Sequence, residues 1–232
     1  MNRLFLVLAC ALFASIARGD DGWVTGVGGT IELMDEHPSI AMVAEYVNAR
    51  VFVTEEAAEV ECLFVLTNHG LADTVRVGFP EFYSGATGPV PFDHFRSFVD
   101  GAEVSCTRTT GHAGSGGAIE HWWVKDVAFG AGETHIIRDV YRAPVGGSIG
   151  DSLGAHDQFD YTLYTGASWS GPIGAATVAI TFEPCTPAWA PLGFSSAPDY
   201  TRECSYIWHF RDFEPGRSSP PYIGVHWRHR AP

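Results

Sequence analysis

Val60-Glu61-Cys62-Leu63-Phe64-Val65-Leu66 is the stretch from which the fold can be read. Successive side chains of an extended strand point to opposite faces, so Val60, Cys62, Phe64 and Leu66 share one face while Glu61, Leu63 and Val65 share the other. At least one of those faces must be buried. Just upstream, Val43, Glu45, Val47, Ala49, Val51 and Val53 alternate with Tyr46, Asn48, Arg50 and Phe52, and Thr54-Glu55-Glu56 separates the two runs. The pair predicts a β-hairpin.

The same grammar extends along the chain. Asn68-His69-Gly70 supplies turn residues, after which Val75, Val77 and Phe79 form a short alternating run that Pro80 should close. Phe95, Ser97 and Val99 alternate with His94, Arg96 and Phe98 up to Asp100-Gly101. This dipeptide tolerates the positive φ that a two-residue hairpin turn requires. Further runs fall at about 120–129, 134–143, 158–165, 175–183, 204–213 and 222–228, with turn clusters between them and no amphipathic helix of three turns. The class is all-β, an immunoglobulin-like antiparallel β-sandwich. Residues 111–118, Gly-His-Ala-Gly-Ser-Gly-Gly-Ala, have no side chain able to fill a core and read as a loop dividing residues 20–118 from 119–232. The second stretch is either its own sandwich or a continuation of the first.

Composition agrees with a folded chain. Of 232 residues, 46% are hydrophobic and 13% aromatic, which is enough apolar surface for a core. Met1-Asn2-Arg3 followed by the apolar run Leu4–Phe13 and the small residues Ala14, Ser15, Ala17 and Gly19 reads as a secretory signal over residues 1–19. Val7-Leu8-Ala9-Cys10 bears a faint likeness to a lipoprotein cleavage site at Cys10. No later segment is apolar enough to span a bilayer, so the expectation is an exported protein, periplasmic or extracellular. Loss of Arg3 and Arg18 with the signal takes the formal charge from −13 to −15. Such a surface repels phosphate backbones and anionic lipid, which argues against nucleic-acid partners. Four cysteines remain, Cys62, Cys106, Cys185 and Cys204. In an oxidising compartment they suggest two disulfides, with Cys62–Cys106 and Cys185–Cys204 favoured among three pairings. A structural zinc site does not fit, since no two have C-x₂₋₄-C spacing.

Gly28-Gly29-Thr30-Ile31, Ile40-Ala41-Met42 with Glu45, Asn68 and Val77-Gly78-Phe79-Pro80-Glu81 resemble the opening of exported bacterial β-sandwich proteins of no assigned function. Phe79-Pro80, the run Phe95 to Val99 and Asp100-Gly101 are also similar to the β-rich domain that begins inter-alpha-trypsin-inhibitor heavy chains. That likeness covers roughly residues 28–104 and lacks the basic, alanine-containing close of those domains. Trp122-Trp123, Phe129-Gly130-Ala131-Gly132-Glu133, Tyr141, Tyr206-Ile207-Trp208-His209-Phe210 and Phe213-Glu214-Pro215 resemble the second half of the exported proteins. The resemblance implies a fold and an exported location, and brings no catalytic residues with it.

Catalytic signatures are absent from the sequence. Gly166-Ala167-Ser168-Trp169-Ser170-Gly171 misses the G-x-S-x-G elbow by one place and reads as a turn with Trp169 packed. His226 and His229 are three apart, hence on opposite sides of a strand, and Asp151, His156, Asp157 and Asp160 read as an acidic loop rather than a metal site. Trp122, Trp123 and Trp169 are the candidate ligand-binding residues, because an exposed indole in an exported β protein can stack on a sugar ring. Trp208 and Trp227, with apolar alternate neighbours, belong to the core. The sequence therefore predicts a non-catalytic binding or structural module without a cofactor, directed at a protein or cell-surface component. The alternatives are a carbohydrate-binding module and a metal-dependent hydrolase.

Overall fold

The computed structural model describes residues 22–29, 31–34, 39–85, 91–110, 119–148, 153–163, 168–214 and 222–228. The expected signal with Cys10, the dividing loop 111–118, Asp151 and His229 lie outside them. The strands are β1 (Gly22–Gly29), β2 (Glu32–Leu33), β3 (Ile40–Phe52), β4 (Ala57–Asn68), β5 (Asp73–Gly85), β6 (His94–Val99), β7 (Ala102–Val104), β8 (Thr107–Thr110), β9 (Ile119–Phe129) and β10 (Thr134–Pro144). They continue with β11 (Gly146–Ser148), β12 (His156–Thr162), β13 (Ile173–Glu183), β14 (Pro191–Phe194), β15 (Tyr200–Arg202), β16 (Ser205–Phe213) and β17 (Tyr222–Arg228). Among the described residues helical structure is confined to 3₁₀ geometry, at Ser168 and over Pro187–Trp189.

These strands make two sheets. The first runs β14-β17-β12-β11-β1-β5-β9-β8, with β2 also paired to β5, and the second runs β15-β16-β13-β3-β4-β10-β6-β7. Both sheets draw strands from residues 20–118 and from 119–232: β5 pairs with β9, β3 with β13 in parallel, and β4 with β10. Period-two patterning is the cause. Val47, Ala49, Val51, Val60, Cys62, Phe64 and Leu66 of the second sheet face Val75, Val77, Phe79, Phe159, Tyr161, Val225 and Trp227 of the first across one core. Each buried aliphatic or aromatic side chain there contributes about 1.5–3 kcal/mol relative to exposure.

The hairpins follow the turn chemistry. β3 and β4 join through Val53–Glu56, with Glu56 at φ 51°, and β6 and β7 through Asp100 (φ 50°) and Gly101 (φ 83°). Pro80 does not end its strand, contrary to the sequence reading. It lies where the neighbour of β5 changes from β1, last paired at Val27–Phe82, to β2, first paired at Glu32–Gly78. On its other side Pro80 stays in register with Trp122 of β9, within an unbroken ladder.

Cys185 and Cys204 form a disulfide that ties the end of β13 to the β15–β16 turn, as expected. Cys62 and Cys106, expected to pair, are both free thiols. Cys62 sits mid-strand in β4, while Cys106 follows β7, and β10 and β6 lie between those two strands. At about 4.8 Å per strand, that separation exceeds the roughly 7 Å a disulfide can span between Cα atoms.

Candidate functional site

On the outer face of the first sheet, even-numbered side chains of β5 and β9 meet odd-numbered ones of β8, since Thr107 pairs with Val124 and Thr109 with Trp122. With Met34 arching over from the end of β2, they enclose a groove of about 510 Å³, lined by Met34, Arg76, Thr107, Thr109, Val124 and Asp126 among others. Gly78 makes this shape possible. A Cβ there would lie 2.4 Å from Met34 Sδ and 2.9 Å from Trp122 Cε3, so only glycine lets the thioether and the indole close over the strand. The result is an apolar floor of Met34 and Val124 between threonine hydroxyls and an exposed ion pair, Arg76 Nε to Asp126 Oδ1 at 3.3 Å.

The three sequence-predicted tryptophans are not gathered in one place. Trp122 borders this groove but is only 7% exposed, edge-on to Phe82. Trp123, on the opposite face of β9, stacks on Phe95 at 4.9 Å and donates its indole N–H to Glu81 Oε2 at 3.0 Å. Trp169 is buried and donates to the Ile31 carbonyl at 2.9 Å. Trp208 and Trp227 lie in the core, as their neighbours implied.

Glu81 was missed by sequence reading, yet it organises this end of the sheet. Fully buried, its carboxylate accepts from Trp123, from Arg108 Nε at 2.6 Å and from the Phe92 amide at 2.7 Å. Arg108 belongs to β8, so the buried carboxylate anchors the edge strand whose threonines line the groove.

Inside the sandwich a second polar feature crosses the core. Lys125 Nζ, from β9 of the first sheet, donates to both carboxylate oxygens of Asp139, from β10 of the second, at 2.8 and 2.7 Å. Their side chains are 1% and 0% exposed. Asp139 is flanked in register by Cys62 of β4 and Ser97 of β6. Beyond Cys62 lies Tyr161, whose hydroxyl donates to the buried Glu45 carboxylate at 2.7 Å. Burial pushes the Cys62 thiol well up, and the Tyr161 hydroxyl likewise. Lys125 is the single lysine of the whole sequence; its other thirteen cationic side chains are arginines.

The third feature is on β12 and β17, where His156, Asp157 and Asp160, read as part of an acidic loop, prove to be strand. His156, Gln158 and Asp160 lie on the face of β12 opposite Phe159 and Tyr161, beside His226; His156 is only 1% exposed, and the two imidazoles meet edge-on at 5.1 Å. Asp160 Oδ1 occupies space that a Cβ on Gly224 would fill. Burial lifts the Asp160 carboxyl to about 7, against the lowering influence of His156 and of the Gln158 hydrogen bond. Among the described residues no group of three or more His, Cys, Asp and Glu side chains is placed to hold a metal ion.

The outer face of the second sheet is an ion-pair ladder. Arg50 contacts Glu183 and Glu59, Arg142 reaches Glu55, Glu59 and Asp93, and Arg138 lies over Phe98. Such solvent-facing pairs contribute about 0–1 kcal/mol each and mark a hydrated surface. Among the described residues no helix is long and apolar enough to cross a membrane.

No protein-family model and no curated protein matches the chain in sequence. In structure the chain is similar to a candidate nutrient binding protein of Legionella pneumophila, with a TM-score of 0.68 at 20% identity over 90% of this chain and 73% of that one. It also overlays, at a TM-score of 0.40 and 10% identity, on 86% of its own length and 31% of yeast LTA4 hydrolase. An M1 zinc metallopeptidase of Deinococcus radiodurans gives 0.35 at 10% identity, covering 84% and 44%. What the first of these shows is a shared all-β two-sheet fold.

Proposed function

We propose that this chain is an exported, non-catalytic binding module that seats a small polar solute in the groove of its first sheet. The groove itself carries the reading. An apolar floor next to hydroxyls and one cation–anion pair is the lining expected of a pocket that orients a ligand by a few polar contacts. Arg76 and Asp126, linked by a single 3.3 Å contact and both open to water, are free to exchange each other for the carboxylate and ammonium of a zwitterion. The name given to the Legionella protein agrees with this reading. The Cys185–Cys204 disulfide favours an oxidising compartment, in keeping with export.

The test is calorimetric titration of the full chain with amino acids, dipeptides and monosaccharides, repeated on Arg76→Ala and Thr107→Val. Saturable heat with an amino acid or dipeptide that weakens at least tenfold in Arg76→Ala is the expected result. Saturation by monosaccharides alone would transfer the site to the carbohydrate reading, and flat heats throughout would remove a solute site altogether.

A further inference from the structure

A chain that uses arginine at every other cationic position places its one lysine in the core, with its amine against a carboxylate and water excluded. The choice matters chemically. A guanidinium holds its proton under all ordinary conditions and presents a delocalised fork, whereas an ammonium that gives up a proton becomes a strong amine nucleophile. Holding two charges in a dry interior carries a desolvation penalty that their mutual attraction has to offset. Condensation removes both charges together.

We propose that Lys125 and Asp139 join spontaneously after folding into an intramolecular isopeptide bond that links the two sheets. The step balances without any co-reactant. A proton passes from Nζ to the carboxylate, the nitrogen lone pair attacks Cγ, and the Nζ–Cγ bond forms. One Cγ–Oδ bond then breaks, and its oxygen leaves as water with two of the three ammonium hydrogens, while no atom changes oxidation state. Contacts of 2.8 and 2.7 Å hold Nζ against both carboxylate oxygens, so the amine is kept beside the carboxyl group it would attack and needs no encounter step. Protic side chains flank Asp139 in the sheet: Cys62 and Ser97 are its cross-strand neighbours on either side. Ser97 is 1% exposed, and its hydroxyl lies within hydrogen-bond reach of the Cys106 thiol. Phe95, 5.8 Å from Nζ, helps to seal the site.

A single lysine makes the experiment clean. The folded full chain is purified, denatured without reduction, and its intact mass compared with the sequence after its N-terminus and disulfide are established. The expected deficit is about 18 Da, with amine-reactive reagent labelling the N-terminus and leaving Lys125 unlabelled. Trypsin should yield a branched peptide joining residues 109–138 to 139–142. Asp139→Ala should restore the full mass and the label at Lys125, and this readout holds whether or not the variant folds. Wild-type protein of full mass with Lys125 labelled, or an 18 Da loss mapped elsewhere, overturns the proposal.

Discussion

The indole N–H of Trp123 and the Nε of Arg108 converge on one oxygen of Glu81, at 3.0 and 2.6 Å, although the three residues come from three different strands. The other oxygen takes the Phe92 amide. Removing a buried charged acceptor strands several donors, and such losses typically cost about 3–5 kcal/mol for a buried ion pair. Arg108 is one-third exposed and can rehydrate, so Glu81→Ala should lower unfolding free energy by about 2–4 kcal/mol in urea titration. Ligand heats should weaken with it, because β8 carries the threonines of the groove. Unchanged stability would deny Glu81 this anchoring role.

Asp100 and His135 clasp the β6–β7 hairpin to β10. Asp100 Oδ1 accepts the Ile136 amide at 2.8 Å, and its other oxygen meets His135 Nδ1. For His135, desolvation lowers its affinity for a proton, but the Asp100 hydrogen bond and charge, the Ala128 carbonyl and Glu133 outweigh it, so the net direction is upward from 6.5. A raised folded value means that the stabilisation is fully present below the unfolded value and fades as pH rises through the folded one. The Ile136 amide, ahead of His135, lowers Asp100 against a smaller desolvation effect, so its contribution is present above the unfolded value and is lost in acid. The Tm difference between wild type and His135→Gln should therefore be largest below the ordinary histidine value of 6.5 and shrink as pH rises above it. A difference independent of pH would refute the charged clasp.

Asp160 shifts in the same direction as His135 and opposite to Asp100. Its carboxyl, raised from 3.8 to about 7 by burial, binds a proton more tightly in the folded chain than in the unfolded one. Wild-type stability should fall from about pH 4 towards pH 7 on its account, and Asp160→Asn should remove that fall. The variant should gain on the order of 1–3 kcal/mol over wild type at pH 8 and little at pH 4, measured by denaturant melts at both values.

The cysteines give a prediction in counts. Denatured, unreduced protein lacking residues 1–19 should show two thiols, from Cys62 and Cys106, and native protein should leave Cys62 unreactive because it is buried. Cys185→Ser with Cys204→Ser opens a loop with a sequence separation of 19 and should cost about 3 kcal/mol. Four reactive thiols in unreduced denatured protein would contradict the disulfide.

Most strands were legible because alternation is local: Val60 to Leu66 or Phe159 to Leu163 displays its buried face within seven residues or fewer, whatever the rest of the chain does. Pro80 shows the limit. Its tolerance depends on which strand lies alongside, a fact that neighbouring residues do not encode. The groove was illegible for the same reason, since Met34, Arg76, Thr107 and Asp126 stand far apart in sequence and meet only because β2, β5, β8 and β9 pair. Trp122 and Trp123 could be assigned to opposite faces from their adjacency, but which partners cover them could not.

From its sequence alone, this protein is determined to be all-β, with a hairpin turn at Asp100-Gly101, because both rest on contacts within a few residues. Tertiary structure alone decided that Cys62 stays a thiol, that Glu81 gathers three donors and that Lys125 meets Asp139. Those outcomes depend on strand order and sheet facing, and chain closure over long separations is selected by burying the whole core at once rather than by any local pattern.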